Sequence, residues 1–266
     1  MEDFSRYNGE GTILRKAQMR EVEILVEIDK ICRKHDIKYW IDFGSLLGAV
    51  RHKGFIPWDD DLDISMLSED YKKFLEIAPK ELPEWLFLQN KETDPSYKRD
   101  ICKVRDLNSF FVEQYDDFSA PYKKGIFIDI FEVIEYPKVS LKTLRFLSKW
   151  SIKTSQFFDI KQYINFKNII AGITFPVISF LIKTFWKCLY IRKSDNIIGC
   201  HLIHNHPYKA LVNKDYIFPL SEIEFEGKKF MAPNNTDIYL KALYNDYMSI
   251  PKEEDRWIHS KFISVN

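Results

Sequence analysis

The sequence predicts an α/β fold of the α+β kind, with a mixed sheet flanked by helices and a helical insertion. Three observations predict it. Apolar runs rich in β-branched and aromatic residues recur at Tyr39–Phe43, Asp61–Leu67, Ile101–Arg105, Ser109–Glu113 and Gly125–Phe131. Stretches of helical periodicity lie between and before them, and from Val139 to about Lys193 the pattern changes to helices. The acids of Asp59–Asp63 are interleaved with apolar residues, as on a strand with one buried face.

In chain order, residues 13–35 form a predicted helix. Ile24/Leu25, Ile28 and Ile31/Cys32 recur at three-to-four spacing, which marks a packing element with no chemistry of its own. A first strand follows and breaks at Gly44-Ser45. A small-residue helix start, Leu46–Val50, leads into the basic tripeptide Arg51-His52-Lys53. A Gly/Pro loop then reaches Asp59, Asp60, Asp61 and Asp63. On a strand Asp61 and Asp63 project together, while Leu62 and Ile64 enter the core. Neighbouring carboxylates repel, and one protonates unless a cation sits between them. Mg²⁺ suits the place, because it takes oxygen ligands from one or two carboxylates and from substrate phosphates. The alternative for four acids after a Pro-Trp loop is a solvated charge run.

Ser68 is the expected N-cap of a helix running to about Leu82 and stopped by Pro83, with Glu69 and Asp70 in its first turn. Trp85–Leu88 reads as a strand and Lys91–Tyr97 as a loop. The runs 101–105 and 109–113, joined by Asp106-Leu107-Asn108, read as a hairpin with Lys103 and Arg105 on one face. Those cations face either solvent or an anion. Asp129 stands alone inside an apolar strand, where a carboxylate must be paired or bound to a metal.

Composition is that of a folded domain: 266 residues, 45% hydrophobic and 29% charged. The 39 basic and 39 acidic residues balance, so nothing global draws the chain to nucleic acid. The N-terminal residues lack an apolar leader core. The four scattered cysteines are expected as thiols in a cytoplasmic protein.

Gly44-Ser45, fifteen residues, then Asp-Leu-Asp-Ile resembles the nucleotidyltransferase signature. The denser string GSLLGAVRHKGFIPWDDDLDI resembles the LicD family, which includes bacterial phosphocholine transferases and fukutin-related proteins. A Lys-x-Arg-Asp segment like Lys103–Asp106 and the ending Tyr244-Asn-Asp-Tyr-Met248, with Asn245 for the usual Gly, extend the resemblance over about 14–134 and 217–260. The chain departs from the family pattern after Asp129, with Glu132 and Ile134 where Pro and Asp are common.

The resemblance implies a nucleotidyltransferase-like core over 1–137, a helical insertion over 138–215 that is a candidate for facing a membrane, and a C-terminal hairpin and helix over 216–266 that complete the core. It implies metal-dependent transfer of a phospho-alcohol, such as phosphocholine or a phospho-polyol, from a CDP-linked donor to a hydroxyl of a cell-surface glycan or its lipid-linked precursor, with release of CMP. Asp61, Asp63 and Asp129 are the implied catalytic acids. With Asp59 they are the implied ligands of Mg²⁺ or Mn²⁺, and Asp129 is alternatively general base or one half of a salt bridge. Gly44, Ser45, Arg51, Lys103 and Arg105 are assigned to the donor phosphates. Transfer of a nucleotide to a small molecule or sugar, and non-catalytic binding of a glycan or nucleotide, are the rival readings.

Two further stretches stay open. The cleanest apolar run, Ile169–Ile182, is fourteen residues, short of the roughly twenty that a span needs. Residues 164–191 are therefore expected either as a basic amphipathic element on an anionic membrane or as a helical subdomain packed on the sheet, not as a span. That places the protein in the cytoplasm, with peripheral contact on the inner membrane face as an option. Cys200, His201, His204 and His206 resemble metal ligands, but their spacing fits no common zinc pattern.

Overall fold

The computed structural model describes residues 3–114, 116–159, 165–190, 196–200 and 211–265. The fold is α+β, and the chain divides into two compact units, Met1–Glu132 with Tyr216–Asn266, and Val133–Asp215.

The first unit opens with the short helix α1 (Ser5–Asn8) and the long helix α2 (Ile13–Lys34). Thr12 caps α2 by accepting the Arg15 N–H at 3.2 Å. Its buried face carries the expected Ile24, Leu25, Ile28, Ile31 and Cys32, and also Ala17 and Val22. The same face also buries Gln18 and Glu21, which a helix with a purely packing role has no reason to carry.

Strand β1 (Trp40–Ile41) is only two residues long, because Asp42 caps α3 (Phe43–His52) at once. Gly48 of α3 is a necessity. A Cβ there would stand 2.5 Å from the Gly54 carbonyl oxygen, so only glycine lets the following loop fold back onto the helix. After that loop come β2 (Asp63–Leu67), α4 (Ser68–Glu81) and β3 (Leu86–Gln89). Ser68 does not cap α4. Leu67 occupies the N-cap with no side-chain bond, and the Ser68 hydroxyl donates to Glu132 Oε1 at 2.6 Å.

Strands β4 (Cys102–Asp106), β5 (Ser109–Glu113) and β6 (Phe127–Glu135) follow. The sheet order in this unit is β1-β2-β6-β4-β3. The expected 101–113 hairpin does not form. Strand β4 lies between β3 and β6, while β5 pairs antiparallel with β11 (Ser260–Val265) at the end of the chain. The short link Leu107-Asn108 suits a hairpin locally, but both hydrogen-bonding edges of β4 are already taken, by β3 and by β6. The hairpin of β9 (Ser221–Phe225) and β10 (Lys228–Ala232) does form where the sequence places it. It turns at Glu226 and Gly227, whose φ values are 49° and 72°. Helix α7 (Thr236–Tyr244) follows and ends at Asn245, with φ 59°, the positive-φ position expected of an Asn standing for Gly.

In the second unit the end of β6 pairs antiparallel with β7 (Ile197–Cys200), and β7 pairs with β8 (Val212–Asn213). Helices α5 (Leu141–Asp159) and α6 (Phe166–Leu189) pack through Ile134, Tyr136, Leu144, Leu147, Ile182 and Trp186. Helix α6 is ten residues longer than the apolar run that predicts it. Among the described residues it is the one helix long and apolar enough to cross a membrane. Cys200 is buried in β7, and its carbonyl accepts the Tyr136 hydroxyl. His201, His204 and His206 lie outside the described residues. All four cysteines carry free thiols.

Candidate functional site: a buried carboxylate cluster

The site grows from Asp42. Its buried carboxylate accepts Phe43 N–H at 2.7 Å, Trp40 Nε1 at 3.1 Å, Ser65 Oγ at 2.5 Å and the Tyr239 hydroxyl. These bonds pull the start of α3 against β2 and force Phe43 to φ 46°. Gly44 and Ser45 therefore stand in the first turn of α3, where backbone N–H groups have no partner within the helix. The Ser45 hydroxyl accepts the Asp63 N–H at 2.8 Å, which ties the Gly-Ser turn to the start of β2. A Cβ on residue 44 would lie 3.0 Å from Asp59 Oδ2, so glycine also makes room for the first acid of the loop.

The loop acids divide by role. Asp60, fully buried, accepts His259 N–H at 2.8 Å and Ser260 N–H at 2.6 Å, and its Oδ1 lies 3.2 Å from His259 Nδ1. Burial alone would raise its pKa, yet these donors outweigh burial and hold it below the usual carboxylate value. Asp60 therefore anchors the start of β11 and sets His259 beside the cluster. His259 Nδ1 is also 3.3 Å from Asp61 Oδ2 and 3.9 Å from Asp59 Oδ1.

The remaining acids have no such set of donors. Asp59 and Asp63 are driven well above the ordinary carboxylate pKa, first by burial and next by the charge of Asp61. Asp61 is raised by burial against the opposing pull of His259. Asp129 N–H donates to the Leu62 carbonyl at 3.0 Å, which lays β6 beside the Asp61–Asp63 stretch. Burial lifts the Asp129 carboxyl to about 6, although Lys103 Nζ lies 2.7 Å from Oδ1.

The sequence-predicted acids thus come together: Asp59, Asp61, Asp63 and Asp129 form one mutually repelling group, in which Asp59 and Asp129 are buried and Asp61 and Asp63 half-buried. The predicted cations do not all stand open beside it. Lys103 is 1% exposed, paired with Asp129, 3.6 Å from Glu113 Oε1 and stacked 3.4 Å over the Phe127 ring. Arg105, equally buried, donates Nε to Gln89 and Nη1 to the Gly125 carbonyl at 2.8 Å. Glu113 sits among Lys103, Arg99 and Arg105, which overcome the effect of burial and depress it to about 2. Arg51 donates Nη1 to the carbonyls of Tyr247 and Ser249 at 3.2 and 3.1 Å, so it secures the C-terminal loop.

Sequence reasoning missed Glu21, Gln18 and His259. Gln18 Nε2 donates to the Asp59 carbonyl at 2.8 Å. Glu21 is 1% exposed, with Oε2 unpartnered, and burial followed by the charges of Asp61, Asp60 and Asp63 raises it strongly. The available signal was Gln18 and Glu21 at i, i+3 on the apolar face of α2, where long polar side chains seldom sit. His259 closes the C-terminal run that resembles the family ending, but its approach to the acids depends on the distant pairing of β11 with β5.

Such a cluster of hard oxygen donors fits a divalent cation: repulsion among the acids, which also raises Glu21, is what a dication relieves. Asp59, Asp60 and His259 already offer ligand atoms within 4.8 Å of one another.

Comparison with known proteins bears on this geometry. Lipopolysaccharide cholinephosphotransferase LicD of Haemophilus influenzae is 28% identical over 258 residues, 92% of this chain and 95% of that protein. Human ribitol 5-phosphate transferase FKRP is 53% identical over 114 residues, 41% of this chain and 23% of FKRP. The uncharacterised protein RP689 of Rickettsia prowazekii is 42% identical over 94 residues, 35% of this chain and 33% of its own length. Residues 36–171, which hold the Gly-Ser turn, the loop acids and Asp129, match the nucleotidyltransferase domain described as LicD/FKTN/FKRP, and the chain belongs to that family.

Proposed function

We propose that this protein transfers a phospho-alcohol from a CDP-linked donor to a hydroxyl of a cell-surface glycan or its lipid-linked precursor, releasing CMP on the cytoplasmic side. The observation that carries the reading is the group Asp59, Asp61, Asp63 and Asp129, four carboxyls gathered in a buried to half-buried place and all pushed above the ordinary carboxylate pKa, more than a folded core carries without a purpose. The names of the LicD and FKRP relatives, a cholinephosphotransferase and a ribitol 5-phosphate transferase, support the class of group transferred.

Asp61, Asp63 and Asp129, with Asp59, would hold Mg²⁺ or Mn²⁺. The ion supplies charge neutralisation at a pyrophosphate and Lewis-acid polarisation of its oxygens. Gly44 and Ser45 offer first-turn N–H groups to a donor phosphate. Asp129, with a pKa near neutrality, is suited to take the proton of the acceptor hydroxyl. Lys103 holds Asp129 in place from behind, and with Arg105 acts on the phosphates through the local field rather than by direct contact. Catalysis of this kind is chiefly positioning and electrostatics.

The test is thermal melting with a panel of CDP-alcohols, CDP and nucleoside triphosphates, with and without Mg²⁺, followed by CMP release with the donor that binds. A metal-dependent rise with one CDP-alcohol, and CMP production lost in a folded Asp61→Asn variant, is the expected result. Stabilisation by triphosphates alone would replace this reading with nucleotidyl transfer. An Asp61→Asn variant that keeps most activity would sink the metal assignment.

A further inference from the structure

The second unit carries a surface that the chemistry above does not use. On α6, Phe166, Ile169, Ile170, Ile173, Val177, Phe180 and Leu181 are each 44–77% exposed. At 100° per residue these seven fall in one sector about 120° wide. Ile178, Ile182, Trp186 and Leu189, which pack into the core of this unit, occupy the opposite sector. The helix therefore has two apolar faces, one used within the unit and one uncovered. An uncovered stripe of seven large side chains is more than scattered surface hydrophobics.

Charge identifies what covers it. Residues 138–193 contain eleven Lys and Arg and a single acid, Asp159, a net charge of +10 in a chain whose total is zero. Lys142, Arg145, Lys149 and Lys153 recur at i, i+3, i+7 and i+11, so they line one face of α5, and all four are exposed. On α6 itself Lys167 flanks one side of the apolar stripe, and Lys183 and Lys187 flank the other. A second copy of this segment would bring +10 against +10 and be repelled. An anionic lipid surface is attracted by the lysines and accepts the stripe, with the long side chains of Lys167, Lys183 and Lys187 reaching headgroups while their stems lie over apolar surface.

We propose that the α5–α6 unit docks on an anionic lipid bilayer, with α6 lying in the interface and its stripe from Phe166 to Leu181 turned into the acyl layer. The helix lies flat rather than spans, because its other face is fixed on Tyr136, Leu144 and Leu147 of its own unit. The proposal does not rest on the transfer chemistry, and its test needs no substrate.

The experiment is co-sedimentation of the full chain with phosphatidylcholine vesicles, with or without phosphatidylglycerol. Wild type should bind the phosphatidylglycerol vesicles, release in high salt and bind pure phosphatidylcholine at least tenfold less. Ile173→Asp/Phe180→Asp changes two side chains that are 69% and 68% exposed, so folding should be preserved by circular dichroism. It should lower binding more than tenfold. Lys142→Ala and Lys149→Ala should each lower it roughly fivefold. Equal binding by wild type and the Asp variant would overturn the proposal, as would membrane retention through both high salt and alkaline carbonate, which marks a span. Absence of vesicle binding together with a concentration-dependent dimer that Ile173→Asp dissolves would assign the stripe to a second copy instead.

Discussion

Replacing Asp59 by Asn should make the metal-free protein more stable, although the residue is buried and polar. Asp59 and Asp60 present carboxylate oxygens within 4.8 Å of each other. Two unit charges at that separation repel by about 3.5 kcal/mol at an effective dielectric constant of about 20. Asp61 adds further repulsion, while the folded chain relieves part of the total by binding a proton at Asp59, so a net gain of about 2–3 kcal/mol is expected. Asn has nearly the same shape, the backbone bonds of this residue, its N–H to Ile56 and its carbonyl from Gln18, survive, and the amide can donate to Asp61 as the protonated Asp59 carboxyl does. For a chain of this size the gain is a rise in Tm of roughly 5–10 °C, read by differential scanning fluorimetry in EDTA. Mg²⁺ should then raise the Tm of wild type by more than that of Asp59→Asn, since the variant has lost a ligand and the repulsion that metal relieves. A lower Tm for Asp59→Asn in EDTA would refute the reasoning: it would show the acids to be structural partners rather than a strained site built for a cation.

Two further outcomes test the surroundings of the site. Lys103→Met leaves Asp129 and part of the Glu113 charge buried without their ammonium partner, so it should destabilise by about 3–5 kcal/mol in urea unfolding, and adding Asp129→Asn should recover much of that loss. Glu226, 14% exposed, receives both Arg15 guanidinium nitrogens at 2.8 and 2.6 Å and the Phe55 N–H at 3.2 Å. Burial opposes these donors, but they prevail and lower its pKa, so its stabilisation is complete above the unfolded value near 4.5 and is lost as pH falls through the lower folded value. Glu226→Gln should therefore cost about 1–3 kcal/mol at pH 7, and the gap from wild type should close below pH 4.5; a gap independent of pH would mean that the charge contributes nothing.

The local order of the site was legible from the chain. Gly44-Ser45 opens a helix because Asp42 caps it, and Leu62 and Ile64 go inward while Asp61 and Asp63 stay together, the alternation expected of a strand, although β2 itself begins only at Asp63. The acids could be recognised because carboxylates embedded in apolar sequence need a stated reason to be there. The helix α2, the β9–β10 hairpin and the positive-φ end of α7 likewise follow from periodicity and turn residues within a few positions of one another. What depends on pairing between distant residues could not be read this way. Strand β4 took β3 and β6 as neighbours and left β5 to β11, so the expected hairpin was lost and His259 arrived beside Asp60 and Asp61 from 199 and 198 residues away. Lys103 and Arg105 share a face, as alternation demands, but only the sheet order decided that the face is buried against Glu113, Phe127 and Asp129. Alternation assigns side chains to one face or the other, and the tertiary structure decides which face water reaches.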